Sequence, residues 1–222
     1  MPRGALQGMC APQPISTGMV KLILRNNLYI MAALGVAVAT YLAINWSSMP
    51  VLQRLVGIFF VGLVMHLWEE GRFPGGFVEL ITEHLHFTAR DRHFGEIVTA
   101  AYVLVIAFVP LFFPNVPFLA MATMMLGVLE AIMHLAMIKM FRLPRFYSPG
   151  LATAVVVLLP ISIYGLAYAV RHDLMQPHSW LFAFLYMLFG LIVAQQVVIR
   201  ASGVKYTDFL RNVRAALSED RR

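Results

Sequence analysis

Six apolar runs, each long enough to cross a bilayer, occupy most of this chain. A spanning helix needs about 20 mostly apolar residues, because the hydrocarbon core is about 30 Å thick and each helical residue rises about 1.5 Å. The runs fall at residues 28–45, 51–68, 96–113, 116–140, 151–170 and 180–199. Pro50, Pro114, Pro117 and Pro149 punctuate their ends, where helix breakers belong. Pro110 and Pro160 lie inside runs and predict kinks in the third and fifth helices. Hydrophobic residues make up 60% of the chain and charged residues 13%, against roughly 25% charged in a soluble domain. Too few polar groups remain to cover such a surface with water. The expected fold is all-α: a polytopic transmembrane bundle of about six spanning helices.

The charge distribution orients that bundle. The net charge of +6 invites a nucleic-acid reading, but the positive residues sit in tails and loops between apolar runs. That pattern suits anionic lipid head groups, so membrane lipids are the expected partners and nucleic acid is not. Of 17 Lys and Arg residues, only Arg54 and Arg171 fall on one side; the rest share the other with both termini. The excess of positive charge marks the cytoplasmic side, so both termini are expected there. Trp46 and Trp180 then sit at the outer interface. Three regions follow: a cytoplasmic N-terminal segment (1–27), the bundle (28–200) with a long cytoplasmic loop at 71–95, and a basic C-terminal tail (201–222). The single cysteine, Cys10, excludes an internal disulfide framework and a thiolate metal cluster. Residues 1–25 contain no signal-peptide h-region, so no cleaved leader is expected.

Two stretches depart from simple spans. The loop opens with Gly71-Arg72-Phe73-Pro74-Gly75-Gly76, which predicts a tight turn, and residues 78–87 suit a short interfacial helix. In the tail, Tyr206, Phe209, Leu210, Val213 and Leu217 recur at helical spacing while Arg211 and Arg214 lie off that stripe. An amphipathic helix along the inner leaflet is the expectation over residues 205–218.

The chemistry-bearing residues gather on the second and fourth spans. The second ends in His66-Leu67-Trp68-Glu69-Glu70, and the fourth carries Glu130 and His134. Residues four apart share a helix face. Both spans run inward, and their histidines lie roughly 7–11 Å from the cytoplasmic boundary at about 1.5 Å per residue. Each ionisable group in a bilayer costs about 2.5–3.5 kcal/mol on insertion scales. A divalent cation would balance two carboxylates and use two imidazole lone pairs. Zinc accepts such ligands most readily, with iron or manganese behind it. The competing reading is a proton-sharing polar cluster that only joins helices.

The string His66-x-x-Glu69-Glu70 resembles the HxxEH helix of inverted zinc peptidases, with Glu replacing the last His. By that analogy His66 and Glu70 bind metal and Glu69 is the general base. The loop offers further candidate ligands or a lid in Glu83, His84, His86, His93 and Glu96. Gln195 and Gln196 are placed to hydrogen-bond into the cluster or to pack helices. His172 and His178 belong to the outer side. Arg142, Arg145 and Tyr147 at the inner interface could hold an anionic head group, or serve as topology anchors.

His66-Leu-Trp-Glu69-Glu70, Glu130 with His134, and the Tyr147-Ser148-Pro149-Gly150 turn ahead of Thr153 and Pro160 together resemble the HXXEE family of integral membrane proteins, over about residues 55–200. The resemblance implies a multi-helix membrane protein and a functional site at His66, Glu69, Glu70, Glu130 and His134, and names no substrate. The leading expectation is a metal-dependent membrane hydrolase acting on a lipid or isoprenoid-like amphiphile at the cytoplasmic leaflet. Its alternatives are a di-iron oxidoreductase, an ion or metal transporter, or a non-enzymatic subunit of a larger complex. Assembly as a homo-oligomer or within a membrane complex is compatible with each.

Overall fold

A computed structural model describes residues 22, 25–85 and 92–219, with side chains at 22, 25–85 and 94–215. The described residues are helical throughout their regular structure and contain no strand. In chain order they form α1 (Asn27–Asn45), α2 (Val51–Gly71), α3 (Phe77–His84), α4 (Arg92–Val103), α5 (Pro117–Met140), α6 (Leu151–Arg171), α7 (Pro177–Ala201) and α8 (Tyr206–Glu219). Six helices are long and apolar enough to cross a membrane: α1, α2, α4 with its continuation to Phe112, α5, α6 and α7. They match the six expected runs to within a few residues at each end.

Helix α2 is the central post. Of its most apolar stretch 61% is buried, against 17% for α7. It packs on α1, α4, α5 and α6, while α7 lies outside against α4 and α5. Close approach of α5 to α2 depends on Gly127, where a Cβ would lie 2.5 Å from the Phe59 ring and would collide with the Ser162 hydroxyl. Because α2 and α5 pack directly, the two helices that carry the candidate ligands are neighbours.

Both internal prolines fall beside a widened helical turn. Helix α4 runs through a π turn (Leu104–Phe108) into a 3₁₀ turn (Val109–Phe112) containing Pro110. A proline has no N–H to give the carbonyl four residues back, which here is Ile106. The Thr123 hydroxyl of α5 donates to that carbonyl instead, at 2.5 Å. In α6 the π turn Ala154–Leu158 precedes Pro160, and the Leu159 N–H bonds the Ala154 carbonyl five residues back. Such turns keep the backbone bonded around a breaker.

The 71–95 loop begins as a tight turn, with a cis Phe73–Pro74 peptide and Gly75 and Gly76 at φ 75° and 97°. The short helix after it is α3, which starts one residue before and ends three residues before the expected 78–87. Helix α8 lays Phe209 and Val213 against Leu85, Met137 and Phe141. The Asn212 side-chain amide donates to the Leu85 carbonyl at 2.9 Å. The amphipathic tail thus docks on the ends of α3 and α5, and Arg211 and Arg214 on its other face are exposed.

Candidate metal centre

Successive residues of the His66–Glu70 string leave α2 about 100° apart and reach different neighbours. The Trp68 indole donates to the Leu28 carbonyl of α1 at 3.2 Å. Glu69 points to α6. His66 and Glu70, one turn apart, meet Glu130 and His134 of α5. From Oε1 of Glu70, His66 Nε2 is 3.5 Å away and His134 Nε2 is 3.4 Å away. Both Nε2 atoms lie 3.9 Å from Oε2 of Glu130. His66, Glu70 and His134 each offer a ligand atom within 4.8 Å of the others, a group that could hold a metal ion.

The far side of each imidazole is held by the turn before α6. Nδ1 of His66 lies 3.1 Å from the Gly150 carbonyl and 3.0 Å from Thr153 Oγ1. A carbonyl only accepts, so this nitrogen carries the proton. Nδ1 of His134 lies 3.2 Å from Ser148 Oγ, whose own proton goes to the His134 carbonyl at 3.3 Å. His134 therefore also donates from Nδ1. Both Nε2 atoms are left with lone pairs facing two carboxylates. Two imidazole lone pairs and two carboxyl groups thus converge.

Gly150 makes the close approach of the two imidazoles to this turn feasible. Its φ is +98°, in the region glycine favours. A Cβ there would lie 2.5 Å from Cε1 of His134 and 2.8 Å from Cε1 of His66.

Glu69 has a different set of partners. Oε1 accepts from the Tyr147 hydroxyl at 2.9 Å and the Ala152 N–H at 3.0 Å. Oε2 accepts from the Thr153 N–H at 2.7 Å and the Thr153 hydroxyl at 2.5 Å. Its carboxylate therefore sits on the first turn of α6, where unpaired N–H groups and the helix dipole favour negative charge. Burial, then the bond to Glu69, pushes the Tyr147 hydroxyl up to about 12.

The other sequence candidates are dispersed. His84 bonds the Leu80 carbonyl at 2.9 Å and stacks on Phe141 with centroids 4.5 Å apart. Glu83 is exposed on α3. Glu96 reaches the wall of the cavity described below. His86 and the His93 side chain lie outside the described residues. Arg145 is exposed, and Arg142 follows α5 with φ 49°. Ser148, Gly150 and Thr153, which orient the imidazoles, are polar or glycine residues of ordinary spacing. In the sequence only the family pattern marks them, without a role.

A cavity of about 910 Å³ adjoins the centre and exposes Glu70 and Glu130 on its wall. The histidines lie behind them: their side chains are 3% and 1% exposed, against 15% for Glu70 and 24% for Glu130. Gln195 belongs to the same wall, on α7.

Fold and centre together define a class: an all-helical bundle of six membrane-span-length helices enclosing a His–Glu group that could hold a metal ion. Residues 58–165 match the family described as "Protein of unknown function with HXXEE motif". The matched stretch contains each residue of the centre and of the turn that orients it. No curated protein and no solved structure shows significant similarity to the chain.

Proposed function

We propose that this protein is a multi-pass membrane enzyme, with both termini cytoplasmic, that binds one divalent metal ion and hydrolyses a lipid or isoprenoid-like amphiphile at the cytoplasmic leaflet. The carrying observation is the spacing of Glu70 Oε1 from the two Nε2 atoms, 3.5 and 3.4 Å. A charge-assisted hydrogen bond from a protonated imidazole would draw N and O to about 2.7–2.9 Å. Ligands bonded to zinc at about 2.0–2.1 Å in a tetrahedron stand about 3.4 Å from one another. The separations suit a shared central cation better than shared protons.

His66, His134 and Glu70 form a His₂Glu set, which in catalytic zinc sites leaves one position for water. Zinc is the favoured ion on this donor set, and when bound it supplies Lewis acidity and a water of lowered pKa. Glu130, the more exposed carboxylate, lies beside this set and opens on the cavity. It would accept the proton of the attacking water and return it to the leaving group, as the water oxygen bonds to the attacked carbon and the bond from that carbon to the leaving group breaks. Glu69 has all its partners in the α6 turn, so its role here is to position the turn that orients His66.

The test is elemental analysis of protein purified without added metal. Wild type and Glu130→Gln retain about one ion per chain, whereas His134→Ala loses it. Glu130→Gln then abolishes turnover of lipid substrates with metal in place. Metal-free wild type would sink the mechanism. Stable metal with uptake into proteoliposomes but no hydrolysis would replace it with transport. Orientation is checked through Cys10: a membrane-impermeant maleimide labels it in inside-out vesicles and not in right-side-out ones.

A further inference from the structure

The cavity beside the centre is long and apolar. On α7 its wall extends from Leu188 to Ser202, about 21 Å at 1.5 Å per residue. One leaflet of a bilayer is about 15 Å deep in hydrocarbon. Besides Glu70 and Glu130 the wall includes Leu129, Leu188, Leu191 and Thr99. One turn beyond Thr99, Tyr102 pins α4 to α7: its hydroxyl donates to the Met187 carbonyl at 3.1 Å. Its ring lies where Gly190 has no side chain, 2.8 Å from the position of an added Cβ. Phe94 and Met133 line the cavity and are 36% and 45% exposed. The cavity is therefore open beside these two side chains.

Its charge is selective. Glu70 and Glu130 together balance one divalent ion, Glu96 adds a third carboxyl group, and no Lys or Arg is among the described lining residues. A phosphate or carboxylate head would enter a low-dielectric space without the cationic partner such groups need.

We propose that this cavity holds the single hydrocarbon tail of a non-anionic amphiphile, such as a long-chain amide or ester. The polar head lies against Glu70 and Glu130, and Tyr102 stops the tail. The inference rests on the metal-hydrolase reading for the chemistry at the head, and on the cavity alone for the tail.

The test uses the full-length protein in lipid nanodiscs and a stearamide carrying a diazirine near the end of its tail. After photolysis, the labelled peptides are mapped by mass spectrometry. Labelling is expected in α4 and α7 around Thr99, Tyr102 and Leu188, about tenfold above that by the matching stearate probe. Thr99→Trp fills the cavity and lowers labelling about tenfold while metal content stays unchanged. Leu188→Phe serves the same purpose should Trp at 99 prevent folding. Equal labelling by stearate, or labelling that neither variant diminishes, overturns the proposal. Cavity labelling in a protein that holds no metal supports the tail site and refutes only the metal reading. Metal without cavity labelling does the reverse.

Discussion

The imidazoles of His66 and His134 meet at 86° with ring centroids 5.0 Å apart, and both present Nε2 to the same oxygen of Glu70. Neither ring sets this geometry by itself. His66 is turned by Gly150 and Thr153, and His134 by Ser148. All three belong to one short segment entering α6. A single turn therefore orients imidazoles on two different helices.

Gly150→Ala is the most direct challenge to that arrangement. The added methyl would strike both imidazoles, and alanine at φ +98° is strained in addition. The expected cost is about 1–3 kcal/mol of stability, with metal affinity reduced at least about tenfold. Circular dichroism and competition with a calibrated chelator separate the two effects. Wild-type affinity in the variant would show that the centre does not form where it is placed.

Ser148→Ala leaves the His134 Nδ1–H without its acceptor. Partners of this kind tune ligand orientation and basicity, and their loss costs about 10–100-fold in metal affinity. Thr153→Val is expected to act similarly through His66, and to loosen Glu69 as well. Ser47→Ala, on the connection between α1 and α2, is the control and leaves affinity unchanged. Equal affinities for all three proteins would exclude the orienting role.

Tyr147 predicts an alkaline limit. Its folded-state value near 12 lies above the ordinary 10, so the protonated phenol is the form that the fold stabilises. Its contribution is complete below pH about 10 and fades as pH rises towards about 12. Tyr147→Phe removes the bond to Glu69 and, with it, this part of the alkaline loss. Thermal unfolding followed across that range checks the sign. A Phe variant as alkali-sensitive as wild type would show that Tyr147 contributes nothing there.

Thr123 and Pro110 form a testable pair. Thr123→Val strips the Ile106 carbonyl of its donor, at an expected cost of about 1–3 kcal/mol. Pro110→Ala restores an N–H that can take over as donor, so the threonine should matter less in that background. A double-mutant cycle measures the coupling. Strict additivity would mean that the hydroxyl does not replace the missing helical bond.

Much of this was legible from residue order alone. Six spans followed from hydropathy because a helix satisfies its own backbone, so length and apolarity are sufficient signals. The pairs His66–Glu70 and Glu130–His134 were legible because four residues return a helix to the same face. The place of the Glu69 side chain was not. Its neighbours in sequence suggest a place beside Glu70, yet the 100° step between adjacent residues directs it to another helix. The identity of its donors depends on where α6 begins.

The sequence by itself determined a polytopic helical chain, its charged ends and the residues able to bind a cation. Those are local properties: hydropathy, periodicity and side-chain chemistry. Tertiary structure decided that α2 and α5 touch, that the turn at Ser148–Thr153 orients both imidazoles, and that an apolar cavity exposes Glu70 and Glu130. Residues 84 positions apart, such as His66 and Gly150, carry no mark of their proximity in the sequence. Packing alone brings them together, since it depends on the shape of the whole bundle and on the missing side chains of Gly127 and Gly150.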